Sequence, residues 1–280
     1  MSPARASHWV TLPLLAAGLL TFGCTGRPTY PKASLAQALQ TALTSDGLNV
    51  TEARLIEHTV AVQLSAPGSL TANGEEIGVG PAFDEAARKV LTDLHRILLS
   101  TDAQVDFYVM LLSDPKVPGA YLTLVRYMDD VRRANANMLD TPEMFARTVF
   151  ELSYVNDQPL TLEQYLPREI RLEDFLSWQL SRRIQQALIE QLELPGAARV
   201  SRCSGAFQDG EFAFTLDFSP AQQTGTLDEA TLRKAFQTAT NLIARVLSSY
   251  HFNNFQQVRL IHPLSGRNLI LPKTRLEIFR

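Results

Sequence analysis

Residues 83–89 read FDEAARK and residues 227–234 read LDEATLRK, and each opens a run with apolar side chains at helical spacing. The first continues with Val90, Leu91, Leu94, Ile97 and Leu98, the second with Ala235, Phe236, Ala239, Leu242 and Ile243. Both spacings predict amphipathic helices that bury one stripe. The flanking elements correspond as well. Upstream of the first, residues 32–44 carry Leu35, Leu39 and Leu43 and stop at Asp46-Gly47. Upstream of the second, residues 172–192 form a helix with Leu188 and Leu192 near its end, followed by Pro195-Gly196. The tripeptide at Gln37-Ala38-Leu39 recurs at Gln186-Ala187-Leu188.

Strands fill the same places in both runs. Residues 53–57 and the alternating Val60, Val62 and Leu64 match residues 199–203 and 211–218. The second pair is joined through Asp209-Gly210, a strong hairpin signal. After the helices, Val105 to Leu111 and residues 121–128 flank the turn DPKVPG, as residues 256–261 and 268–279 flank HPLSGR. Each half thus reads α-β-β-α-β-β. The expected class is α+β: two similar halves, each an antiparallel sheet covered by helices. Two copies are too few for a solenoid, which needs at least about three.

Two segments break the symmetry. The first half has a long connection containing Leu70, Asn73-Gly74 and Ile77, which predicts a projecting hairpin. Residues 129–170 form a bridge. Within it Thr141-Pro142-Glu143 predicts a helix start, with Phe145, Val149, Phe150 and Leu152 on that helix's apolar side. The resulting division is residues 1–23 as a leader, 24–31 as a spacer, 32–128 as the first half, 129–170 as the bridge and 171–280 as the second half.

Composition bounds the function. The chain has 280 residues, 45% hydrophobic and 20% charged, with a formal net charge of −3. That balance argues against disorder and against a global electrostatic grip on nucleic acid. Arg132-Arg133 and Arg182-Arg183 are too small to suggest a basic patch. In the leader, Arg5 precedes an apolar run from Val10 to Phe22, shorter than the about 20 residues that span a bilayer. It ends at Gly23-Cys24.

The stretch LLTFGC, residues 19–24, resembles the lipobox of bacterial prolipoproteins, with Thr21 where Leu is most frequent and Phe22 where a smaller residue is usual. The resemblance covers only the leader and Cys24. It implies lipidation at Cys24, which would become the first mature residue. With Thr25 next, it also implies sorting to the periplasmic face of the outer membrane. A diacylglycerol plus an N-acyl chain gives more than the two signals that stable anchoring needs. Only Cys203 would then remain as a thiol, so no internal disulfide could form, and Cys203 is expected to be buried.

No catalytic or metal motif emerges. Gly78-Val79-Gly80 has Phe83 where a dinucleotide fingerprint needs its third glycine, and Asp84 and Glu85 would repel a phosphate. The histidines at 58, 95, 251 and 262 share no ligand spacing. Asp129-Asp130 point apart on one helix and read as caps for the turn that carries Arg132 and Arg133. Phe212, Phe214 and Phe218 alternate strictly, as a half-buried strand does, or else as a face for an apolar ligand. No cofactor or metal is expected. The expectation is a non-catalytic envelope lipoprotein, a binding or assembly component held to a membrane through Cys24 and contacting another envelope protein. Two alternatives stand beside it: a periplasmic carrier of a lipid or other apolar ligand, and a hydrolase or transferase with a site assembled from His58, His262 and the bridge acids.

Overall fold

The computed structural model describes residues 29–73, 76–155, 160–221 and 227–276. The first half builds α1 (Leu35–Ser45), β1 (Asn49–Ile56), β2 (Thr59–Ser65), the hairpin β3 (Leu70–Asn73) and β4 (Glu76–Val79), α2 (Phe83–Leu98), β5 (Phe107–Ser113) and β6 (Ala120–Tyr127). The bridge follows as α3 (Met128–Asn135), α4 (Thr141–Arg147), β7 (Val149–Tyr154) and α5 (Leu162–Tyr165). The second half is α6 (Leu172–Leu188), β8 (Ala198–Gln208), β9 (Glu211–Pro220), α7 (Glu229–Ser249), β10 (Gln257–His262), β11 (Arg267–Pro272) and α8 (Lys273–Leu276).

The fold is α+β with two sheet-containing halves. The first sheet has the order β1-β2-β5-β6-β7, the second β11-β10-β9-β8. Each contains two antiparallel hairpins, but the pair that joins them, β2 with β5 and β9 with β10, is parallel. The sheets are therefore mixed where the sequence predicted antiparallel ones. The cause is the helix between the hairpins, which returns the chain to the end of the sheet it left, as in any crossover.

The correspondence between halves extends to detail. α1 and α6 lead into turns at Gly47 and Gly196, with φ of 81° and 77°, the left-handed region open to glycine. Both first strands carry a register shift near their start, between Val50 and Glu52 and between Val200 and Arg202. Asp209 and Gly210 both take positive φ, the hairpin geometry their sequence predicts. The helix starts differ. α7 is capped by Asp228, which accepts the Thr231 N–H at 2.5 Å. α2 begins at Phe83 after Ala82, leaving Asp84 and Glu85 inside its first turn as partners of the helix dipole.

The two sheets are clothed unequally. On the first, α1 and α2 cover one face with Leu39, Leu43, Val90, Leu94 and Ile97. The other face, built from Ala61, Phe107, Val109, Leu111, Tyr121 and Val125, lies under Leu162, Leu166, Ile170 and Phe175. Burial on both sides is why β5 and β6 are apolar at almost every position. The second sheet packs one face against α6 and α7, joined by Phe252, Phe255 and Leu276, and β9 and β10 accordingly alternate between buried and part-exposed residues. Phe212, Phe214 and Phe218 have no exposed surface and form the centre of that core.

The bridge departs from its expected form. Asp140, rather than Thr141, caps α4 by accepting the Glu143 N–H at 2.8 Å, and the helix ends at Arg147. Val149, Phe150 and Leu152 lie not on a helix but on β7, which adds to the open edge of β6. Their β-branched and aromatic character suits a strand, and a free sheet edge supplied the partner that local spacing does not reveal. At the C-terminal end, β11 stops at Pro272 and the chain turns into α8, where the sequence suggested a longer strand. The helix at 172–192 continues to Glu193, but its last turn widens to π geometry over Ile189–Glu193.

α6 holds both halves together. Phe175 belongs to the core beneath the first sheet; Leu176, Leu180, Ile184 and Leu188 belong to that of the second. It lies so close to β8 that a Cβ on Gly205 would stand 2.4 Å from Phe214 Cδ1 and 2.7 Å from Ser181 Oγ. Overpacking of this kind costs typically 1–3 kcal/mol, so Gly205→Ala is expected to destabilise by about 2 kcal/mol in urea titration. A loss below roughly 0.5 kcal/mol would show that the contact relaxes freely.

Candidate functional site

The residues singled out in the sequence scatter. Cys24 and Gly74 lie outside the described residues. In the β3–β4 hairpin, Leu70 is buried, with its N–H donated to Asp114 Oδ2 at 3.0 Å, and Ile77 packs half-buried on the same core. Asn73 is exposed. The hairpin thus spends its apolar side chains inward, and Leu70, buried in the core of the first half, is not free for a partner. Phe212, Phe214 and Phe218 offer no surface to a ligand, for the reason given above.

The histidines also separate. His58 lies on the first half, 3.4 Å from Asp106 and 3.9 Å from Glu169. His262 is fully buried in the second, its Nε2 at 2.8 Å from the Phe218 carbonyl and its Nδ1 at 2.7 Å from Ser265 Oγ. They share no neighbour, so no site forms from His58, His262 and the bridge acids. Cys203 is buried, and burial pushes its thiol up to about 12. It is no nucleophile at neutral pH. No group of three or more metal-ligating side chains occurs among the described residues.

What the sequence did not reveal is a polar cluster at the junction of the halves. Asp130 on α3 is buried, although its neighbours in sequence suggested a surface cap. Arg147 Nη1 donates to its Oδ1 at 2.8 Å, and the Tyr250 hydroxyl donates to its Oδ2 at 2.6 Å. Arg147 Nε reaches Glu143 at 2.9 Å, and the guanidinium lies over the Tyr250 ring, 4.7 Å from its centroid. Gln179 of α6 donates to the Arg147 carbonyl and to the Tyr250 oxygen. Bridge and second half therefore meet at Arg147. Burial alone would weaken the Arg147 charge, but Asp130, Tyr250 and Glu143 outweigh it and raise its pKa. Burial first, and then Asp130, raises that of Tyr250. Of its buried side-chain atoms, only Gln179 Oε1 has no hydrogen-bond partner among the described residues, and a cluster so densely bonded fixes geometry rather than reacting.

A second buried group surrounds Arg126 on β6. Its Nε donates to Thr148 Oγ1 at 2.9 Å and its Nη1 to the Tyr108 hydroxyl at 3.3 Å. Tyr108 in turn lies 2.9 Å from His95 Nε2. Tyr108 accepts from Arg126 and keeps its own proton available to a neutral His95. Burial, and then Arg126, lowers His95 to about 4.

The feature most suited to a partner is a groove of about 440 Å³ between the two halves. One wall is β7, with Val149 and Glu151; the other is β8, from Arg202 to Gly205; α6 forms the floor with Trp178, Ser181, Arg182 and Gln185. β7 and β8 are the edge strands of their respective sheets, so each presents an unpaired flank. Gln185 Oε1 and Glu193 Oε2 take the outward N–H groups of Cys203 and Val200 at 3.1 Å. Trp178 is 38% exposed. Desolvation lowers the Arg182 pKa, opposed by Glu151, and Arg202 makes no ion pair with any described residue.

The junction yields two expectations. Breaking a buried pair strands the remaining charge, so Asp130→Ala is expected to cost about 3–5 kcal/mol in denaturant titration. Tyr250→Phe, which removes one hydrogen bond to a carboxylate, should cost about 1.5–3 kcal/mol. Equal, small losses would mean that the halves do not depend on the cluster. For His95 the folded pKa lies below the unfolded value, so the unfolded state takes up the proton first. Stability is then whole above about 6.5 and falls as the pH drops towards about 4, by an amount on the order of 3 kcal/mol. His95→Gln should flatten the Tm profile between pH 7 and pH 4.5; an unchanged slope would assign it to other groups.

No protein-family model matches the chain, and no curated protein is similar to it.

Proposed function

We propose that this chain is a non-catalytic lipoprotein of the bacterial cell envelope, tethered through Cys24 at the periplasmic face of the outer membrane, that acts as a binding or assembly component. The address rests on the leader, an apolar run that ends at Gly23-Cys24. Tyr30 pairs with Thr101, and Thr29 donates to the Ser100 carbonyl at 2.9 Å, so the tether leaves the body beside the C-terminal end of α2. From Cys24 to Tyr30 the chain spans at most about 20 Å, which holds that end of the body close to the bilayer.

The single observation that supports binding is the groove on α6, flanked by the edge strands of both sheets, of which β8 already gives two outward N–H groups to Gln185 and Glu193. An extended segment laid along such an edge gains main-chain hydrogen bonds, while its side chains meet the walls. Arg182 and Arg202 favour acidic side chains on that segment, and exposed Trp178 offers a flat apolar contact. The partner is thus an envelope protein that offers an acidic, extended stretch. The ion pairs that engage Arg147 and the burial of Cys203 and His262 favour this reading over chemistry.

Trp178→Ala combined with Arg202→Glu alters two exposed side chains and should leave the fold within about 0.5 kcal/mol of its stability. Partners recovered with the protein from detergent-solubilised membranes should fall at least tenfold for this variant. An unchanged set of partners would remove the groove from consideration. Cys24→Ser should move the protein out of the membrane fraction or leave its leader uncleaved; a cleaved variant still in that fraction would sink the address.

A further inference from the structure

We infer that the cavity beneath the α3–α4 turn is a receptor for a carboxylate borne on an apolar chain. Its floor carries Arg126, which is only 7% exposed. The guanidinium has two partners, Thr148 and Tyr108, and both are neutral. The Thr148 hydroxyl donates its own proton to the Met144 carbonyl at 2.8 Å, and the Tyr108 hydroxyl lies 2.9 Å from His95 Nε2. No carboxylate of the described residues comes within 4 Å of Arg126. Arg147, equally buried a short way along the chain, has Asp130 and Glu143. A buried guanidinium without a counter-charge is costly, and an incoming anion offsets that cost.

The rest of the cavity tells what the anion is attached to. It measures about 610 Å³, within the range of small-molecule sites. Leu139 and Met144 line it, and Met138 and Phe145 stand at its mouth, 69% and 68% exposed. Two large apolar side chains so exposed on one cavity suit a hydrocarbon chain. Asp140 is the one acidic residue in the lining, and its Oδ1 is engaged by the Glu143 N–H at 2.8 Å. The planar guanidinium end, with Nε already committed to Thr148, suits the two oxygens of a carboxylate. Neither the groove on α6 nor the lipid tether enters this inference.

Octanoate, octanol, octylamine and octyl phosphate separate the terms in calorimetric titration of the full mature chain. Octanoate should bind and raise Tm as its concentration rises. Octanol and octylamine should bind at least tenfold more weakly. Octyl phosphate binding as tightly as octanoate would overturn the carboxylate as head group, and octanol doing so would overturn the role of Arg126. Arg126→Gln should abolish the preference for octanoate over octanol. Since that variant removes a buried group, Phe145→Asp provides a check on an exposed one, placing a like charge at the mouth. It should weaken octanoate at least tenfold without lowering the Tm of the free protein; unchanged affinity would refute the site.

Discussion

The arrangement of the two halves depends on Arg147 being engaged by groups that come from both the bridge and the second half. Asp130, Glu143 and Arg147 itself come from the bridge, Gln179 from α6 and Tyr250 from the end of α7 in the second half. A hydrophobic junction would tolerate sliding, because burial has no preferred direction. A buried charge does not: any shift that opens one of these bonds leaves a desolvated carboxylate or guanidinium behind. Aromatic packing of Phe107, Tyr127, Phe175 and Tyr250 surrounds the cluster and keeps water out. The groove between β7 and β8 is a by-product of that fixed angle, since α6 separates two sheets whose edges cannot meet.

Most of the architecture was legible because it is local. Helical stripes, the Asp209-Gly210 turn and the order of elements each depend on a short window of sequence, and the two copies support each other. What escaped depended on the partner. β7 was read as the continuation of a helix because Val149, Phe150 and Leu152 suit either element, and only the bare flank of β6 decides between them. The parallel pairing of β2 with β5 is likewise a property of how hairpins are stacked, invisible in any one strand. β5 and β6 did carry a signal that went unused: their unbroken apolar runs announce a sheet covered on both faces.

The candidate sites were less legible, for a physical reason. Charge on a side chain does not say whether its partner lies three residues away or on another helix. Asp130 looked like one of a capping pair and proves to be the anchor of the junction. Arg126 sat unremarked at the end of a strand, although a lone cation following Tyr121, Leu122, Leu124 and Val125 is an anomaly of the kind that precedes a functional assignment. Arg182 was dismissed as half of a small basic pair; its neighbour Arg183 turns to Glu143, 3.6 Å away, and leaves it alone over the groove.

The unequal clothing of the sheets bears on how the chain is made. During synthesis all five strands of the first sheet are complete by Tyr154, yet the side formed by Phe107, Val109, Leu111 and Tyr121 has nothing over it until Leu162, Ile170 and Phe175 emerge. Two copies of one motif have therefore not remained two autonomous units. The earlier copy stays greasy and exposed to chance association until the opening turn of the later one closes over it, and a product cut between them would carry that liability permanently.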